Sequence, residues 1–429
     1  MKKKVFIVFL ALVLLLAAAG AAGKLIYNSV DESKIPDVSV SVFGAALEPV
    51  KCDWHEAVFK GLAYKEFSIE DNSAALDVGE LADVAAQPGA PEGYDASYEL
   101  FLDDELISTG DVDQFGSELY GNPGSYKLLI YLEKPYVNHK TYGSFSFSVD
   151  FTVPPPDPEL VTGRLSLSQG EIFVMELTNV PRDTFPAAVT DLGMAVFTPK
   201  GEGEWFAAIP VGNTRAPGTY KVKVSAGERA EHVWAIEVSV KAYSFDTQNL
   251  IIDTSNPVIS EANSPEAYAQ YRAKIPPLFD TYDSELYWEG TFIPPVSGRI
   301  STEFGSIRYT NSNWASPRYH WGVDIATDRG TPVKAPNNGR VVFAEYLLNT
   351  GNTVVIEHGG GFKSYYFHMD SLNVNAGDMV QKGDQIGTVG STGYSTGPHL
   401  HFETRIGDQA VNPLMLYDSS ASLYDIDIE

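Results

Sequence analysis

A single cysteine, Cys52, stands in a chain of 429 residues. No intrachain disulfide can form, and no thiolate cage can be built around a metal. Cys52 lies far beyond the apolar segment that opens the chain, which excludes lipidation there, and it reads as a small half-buried hydrophobe. Positive charge is also scarce. Lys and Arg total 30 against 56 Asp and Glu, for a formal net charge of −26. So acidic a chain repels nucleic acid, and no DNA or RNA partner is expected. The length exceeds one ordinary domain, and the hydrophobic fraction of 44% is normal for globular cores.

Long apolar stretches are confined to the start. Lys2, Lys3 and Lys4 precede an uncharged run from Val5 to Gly23, a positive n-region followed by a translocation segment. The run approaches the ~20 residues that a spanning helix needs. Ala19-Gly20-Ala21 offers a small-residue cleavage site. Length favours an uncleaved single-span anchor over a removed signal peptide for residues 1–27. In either case the lysines stay cytoplasmic and the chain after Lys24 is exported, which places it in the cell envelope or outside the cell.

The exported part reads as mainly β. Residues 28–153 carry short alternating runs such as Ser97–Leu102 and Tyr126–Tyr131, separated by Gly, Asn, Asp and Pro clusters. Pro154-Pro-Pro-Asp-Pro158 is a stiff extended linker, and a second β-rich module spans 159–243. Asn122-Pro-Gly-Ser-Tyr126 resembles Ala216-Pro-Gly-Thr-Tyr220. A Pro-Gly turn feeding a Tyr-led strand, repeated at that interval, suggests two immunoglobulin-like β-sandwiches. Residues 244–287 read as a connector. There Ser264-Pro265-Glu266 caps a short helix that Pro276-Pro277 ends. Strand patterns return over 288–417, and an acidic tail, 418–429, is expected to be loosely ordered.

Histidine is sparse as well, yet five of eight lie between His320 and His401. Alternate residues of a strand face opposite sides. In Tyr319–Ile325, His320, Gly322 and Asp324 then share a face, with Trp321, Val323 and Ile325 opposite; Gly322 leaves room for an ion or a substrate backbone. In Pro398–Phe402, His399 and His401 oppose Leu400 and Phe402. In Tyr365–Met369, Tyr366 and His368 oppose Tyr365, Phe367 and Met369. Four imidazoles and one carboxylate are thus expected to converge on one groove. Such donors suit zinc, which in catalytic sites takes three protein ligands and water. The two groups left over suit a general base and an oxyanion donor. His358, beside Gly359-Gly-Gly361, reads as structural, as do His55, His139 and His232. Lys382, in a Lys-Gly-Asp turn, is not expected to carry a cofactor.

These segments, together with Ser395-Thr-Gly-Pro-His-Leu-His-Phe-Glu403, Gly330–Ala335, Gly351–Val355 and Val380–Gly387, resemble the lysostaphin/LytM-type zinc metallopeptidases over about Trp288 to Pro413. The resemblance implies an antiparallel β-sheet peptidase domain with a groove. It also implies zinc held by His320, Asp324 and His401, and catalysis by His368 and His399. No His-Glu-x-x-His helix exists in the chain, and two imidazoles beside a metal site need no separate glutamate base. Some family members use a tyrosine near the metal; Tyr309 and Tyr319 are candidates for that role here. The implied activity is hydrolysis of peptide cross-bridges of bacterial peptidoglycan. The alternative is a non-enzymatic envelope regulator or scaffold that activates other wall hydrolases. The N-terminal modules then bind wall polymer, bind an envelope protein partner, or act as spacers.

Overall fold

The computed structural model describes residues 2–71, 73, 75–80, 88, 91–227 and 232–426. Helix α1 (Lys2–Ser29) forms from Leu, Ala, Val and Ile with no proline to interrupt it. Its stretch Ile7–Ser29 is 23 residues of mean hydropathy 2.3, none of it buried, long and apolar enough to cross a membrane.

The chain divides into two compact units, Met1–Pro156 and Asp157–Glu429. In the first unit two facing sheets are expected, but the strands join in one seven-stranded sheet with a separate two-stranded hairpin, Val40–Val42 with Ala45–Leu47. The reason lies in two long strands, Gly124–Lys134 and Tyr142–Val153, which pair along nearly their whole length and recruit the others at their flanks. Tyr126, Leu128, Ile130 and Leu132 alternate into a core with Phe145, Phe147, Val149 and Phe151, and the hairpin's Val40, Val42 and Leu47 join it.

The second unit begins with two four-stranded sheets. Phe173, Met175, Leu177, Ala207 and Ile209 of one share a core with Leu167, Val222, Val224, Val238 and Val240 of the other. The sequence repeat has a structural meaning within each unit. Tyr126 donates its hydroxyl to the Asn122 carbonyl at 2.7 Å, and Tyr220 donates to that of Ala216 at 2.7 Å.

The rest of this unit contains β1 (Thr247–Leu250), α2 (Pro257–Ala262), α3 (Pro265–Lys274), β2 (Arg299–Thr302), β3 (Ile307–Thr310), β4 (Arg318–Tyr319), β5 (Gly322–Ala326), β6 (Gly339–Leu347), β7 (Gly351–Glu357), β8 (Phe362–Leu372), β9 (Met379–Val380) and β10 (His399–Ile406). Ser264 caps α3, its hydroxyl accepting the Ala267 N–H at 3.1 Å. The main sheet runs β2-β5-β10-β8-β7-β6-β9, with shorter strands attached, and β1-β3-β4 form a small sheet of their own.

The sandwich does not end at its own surface. Ile172, Val174 and Phe206 are buried in the same cluster as Trp288, Val323, Leu400, Phe402 and Leu423. The tail is likewise ordered as far as Ile426. Ser422 Oγ accepts the Ile172 N–H at 3.1 Å, Arg164 Nε donates to Asp425 at 2.8 Å, and Leu423 is 1% exposed. Acidic composition predicts a loose end, but burial of Leu423 and Ile426 outweighs it. Leu423→Ala is expected to destabilise this unit by about 2–4 kcal/mol. Urea titration of the chain measures it, and a loss below about 0.5 kcal/mol would show that the tail contributes no core.

Candidate metal and catalytic site

Antiparallel pairing of β5 with β10 sets Asp324 directly opposite His401. Val323, Ile325, Leu400 and Phe402 turn the other way into the core. A Cβ on Gly322 would lie 2.3 Å from the Phe402 carbonyl oxygen. The glycine is therefore there to let two backbones close, and not to make room for an ion.

His320 enters from the turn before β5. His320 Nε2, Asp324 Oδ1 and His401 Nδ1 form a triangle with edges of 3.0, 2.9 and 2.9 Å. All three residues are buried. The far side of each imidazole has an acceptor: His320 Nδ1 donates to the Glu303 carbonyl at 3.0 Å, and His401 Nε2 donates to Glu403 at 3.3 Å. These partners fix the tautomers and leave lone pairs on the inner nitrogens. Three lone pairs so close repel unless a proton or cation lies among them. The fields within the cluster pull both ways. Burial opposes a charge on His401, yet its hydrogen bonds to the carboxylates of Asp324 and Glu403 push its pKa up to about 8. Burial also opposes the charge on Asp324, but His320 and His401 hold its carboxyl well below the usual range. His320 is shifted down, chiefly by burial. A tetrahedral ion of the zinc class holds its ligands roughly 3.3 Å apart, so the triangle needs only a slight opening to fit one.

His399 and His368 flank the triangle in a groove of about 860 Å³. Their ring centroids are 4.9 Å apart, and His399 Nε2 is 3.8 Å from Asp324 Oδ1. His399 Nδ1 donates to the Gly397 carbonyl and His368 Nδ1 to that of Thr392, each at 2.8 Å, leaving both Nε2 atoms as proton acceptors. Burial first, then the neighbouring His399 and His401, pushes His368 down to about 3.

Strict alternation misplaces His368. Phe367 pairs with His401 and Tyr366 with Phe402, so a regular strand would send His368 into the core beside Tyr366. One extra residue in β8 between Tyr366 and Met369 makes a bulge against β7, and His368 adopts φ +63°. That left-handed residue turns the imidazole into the groove. Tyr366, expected beside it, is fully buried against Phe402 at 5.3 Å. Phe367, expected opposite, lines the groove and stacks on His401 at 5.1 Å and 6°. Trp321, expected in the core, also lines the groove. Of the two tyrosines considered, Tyr319 lines it, while Tyr309 packs against Trp314 with its ring tilted, at 4.6 Å and 49°.

Residues 318–413 match the model of peptidase family M23. That region is a peptidase family M23 domain. The resemblance read from the motifs is therefore sound. DD-carboxypeptidase/endopeptidase Mpg of Neisseria meningitidis serogroup B is 43% identical over 122 residues, 28% of this chain and 27% of its own length. Peptidoglycan DD-endopeptidase ShyB of Vibrio cholerae serotype O1 is 39% identical over 95 residues, 22% of each chain. Lysostaphin of Staphylococcus simulans is 45% identical over 89 residues, 20% of this chain and 18% of its own. The chain spans about a quarter of the length of the curated relatives it matches first.

Several residues that contact the candidate site escaped the sequence reading. Glu403 orients His401, and Arg405 holds Glu403's carboxyl down at about 2 against the cost of burial, with His401 assisting. Arg405 itself lies between Phe279 at 4.7 Å and Trp321 at 5.3 Å. Arg308 pairs with the outer oxygen of Asp324. Parity on β10 places Glu403 on the face of His399 and His401, which was a usable signal. Nothing local announces Arg308.

His358 plays a structural part. Its Nδ1 donates to the Asn338 carbonyl and its Nε2 accepts from Ser364, both at 2.7 Å. Burial pushes its pKa from 6.5 down to about 4. Between those values the unfolded chain binds the extra proton, so stability falls as pH falls through this window, by about 3 kcal/mol at its foot. His358→Gln is expected to flatten that dependence. Urea titrations of both proteins at intervals from pH 7 to pH 4 test it, and parallel curves would refute the assignment.

Proposed function

We propose that this chain is a zinc-dependent endopeptidase that hydrolyses peptide cross-bridges of bacterial peptidoglycan, with α1 as its membrane anchor and the rest outside the cytoplasm. One observation carries the reading: a buried triangle of two imidazoles and a carboxylate opens onto the same groove as two further imidazoles whose Nε2 atoms make no hydrogen bond among the described residues. The name of the relative ShyB, a peptidoglycan DD-endopeptidase, supports the substrate class.

His320, Asp324 and His401 would hold the zinc, which when bound supplies Lewis-acid polarisation of a carbonyl and a water of lowered pKa. His368 or His399 takes a proton from the attacking water at Nε2. The other, once a proton from solvent occupies its Nε2 as well, donates it in a hydrogen bond to the oxygen on which charge develops. The backbone carbonyls of Thr392 and Gly397 hold Nδ1–H of both rings and so keep each Nε2 turned to the groove. Phe367, stacked on His401, excludes water from one side of the cluster.

The full chain in detergent, loaded with zinc, is to be incubated with peptidoglycans of different cross-bridge types and the products identified by mass spectrometry. Chelator-sensitive cleavage of one bridge type is expected. No cleavage by folded, zinc-loaded protein would refute the reading and favour a non-enzymatic envelope role. His399→Ala should lower turnover by about 10²- to 10⁴-fold with zinc retained, whereas His401→Ala should lose the zinc itself. Elemental analysis beside the activity assay separates the two, and full activity in either variant overturns the assigned roles.

A further inference from the structure

Two arginines enter the groove from neighbouring strands. Arg308 of β3 and Arg318 of β4 are direct partners on the antiparallel ladder, and both line the groove. Side chains at such positions project from the same face about 5 Å apart, and like charges there repel. The chain has acids to spare, with 56 against 30 bases. Arg164, Arg182, Arg329 and Arg340 each have a carboxylate partner. Arg318 has none among the described residues.

Arg308 has Asp324, but that carboxylate already serves His320 and His401 through its other oxygen. The Arg308 Nε–H is buried with no hydrogen-bond partner. Arg318 is held in place by a neutral group: it donates to the Tyr268 hydroxyl at 2.6 Å and lies 5.5 Å from the centre of that ring. Tyr268 is fixed in turn, its hydroxyl donating to Asn263 Oδ1 at 2.8 Å. Two guanidinium groups are thus aligned and oriented, with less negative charge beside them than positive. A planar fork of N–H donors matches a carboxylate.

We propose that Arg308 and Arg318 form an anion subsite beside the metal cluster that takes a free carboxylate of the substrate peptide. The inference rests on the peptidase reading above and sharpens it. Cross-links whose residue next to the scissile bond bears an unamidated carboxylate are the preferred substrates, and uncharged bridges leave the subsite unfilled.

The test uses the full zinc-loaded chain and two synthetic cross-linked peptides, identical except for a carboxylate or a carboxamide beside the scissile bond. The carboxylate form is expected to have a KM about 10- to 100-fold lower. Arg318→Gln is expected to bring the kcat/KM ratio of the two peptides close to one, and Arg318→Lys, which keeps charge without the fork, to keep part of the preference. Equal kcat/KM for both peptides in the unaltered protein, or an unchanged ratio in Arg318→Gln with normal zinc content and circular dichroism, overturns the subsite. If Arg318→Gln does not fold, the wild-type ratio together with Arg318→Lys decides. If neither peptide is cut, the peptidase reading is at fault. Calorimetric binding of the two peptides then decides the subsite alone: preference for the carboxylate upholds it, and equal binding removes it.

Discussion

The register between β5 and β10 governs the site. Asp324 opposite His401 puts a carboxylate and an imidazole on one face, while Val323, Ile325, Leu400 and Phe402 bury the reverse. A slip of one residue would send every donor into the core and every apolar group into the groove. The apolar face therefore enforces the polar one, and Gly322 is the point where the two backbones come too close for any side chain. His320, His399 and the bulge at His368 are all placed relative to this pair.

Around that register the protein surrounds each imidazole with a defined partner. Backbone carbonyls hold His320, His368 and His399, and Glu403 holds His401. Four inner nitrogens are thereby left bare as lone-pair donors. The orientation extends outward through Glu403 and Arg405 to Phe279, a residue of the connector. The segment read as a connector thus packs on the group that aims a candidate metal ligand. It also supplies Tyr268, which holds Arg318 in the groove.

The sandwich and the tail belong to the same construction. Ile172, Val174 and Phe206 lie in one cluster with Trp288 and Leu423. The reverse face of the sheet that carries the histidines is completed by residues more than a hundred positions upstream, and burial of this kind is the main source of its stability.

Composition and spacing alone established much: a β-rich chain without an intrachain disulfide, a helix long enough to span a membrane, and a family read from Gly-Pro-His-Leu-His and its companions. Alternation on two strands was enough to gather Asp324, His399 and His401, because parity is a local property of regular strands. It failed where the backbone was irregular. The bulge that turns His368 outward and Tyr366 inward depends on pairing with β7, and no pattern within five residues reveals it. The sheet topology of the first unit and the burial of the tail also lay beyond reach, since both come from contacts between distant segments. Sequence determined which chemistry was available; tertiary structure decided which groups meet, because only long-range packing sets register, bulges and the partners of a buried charge.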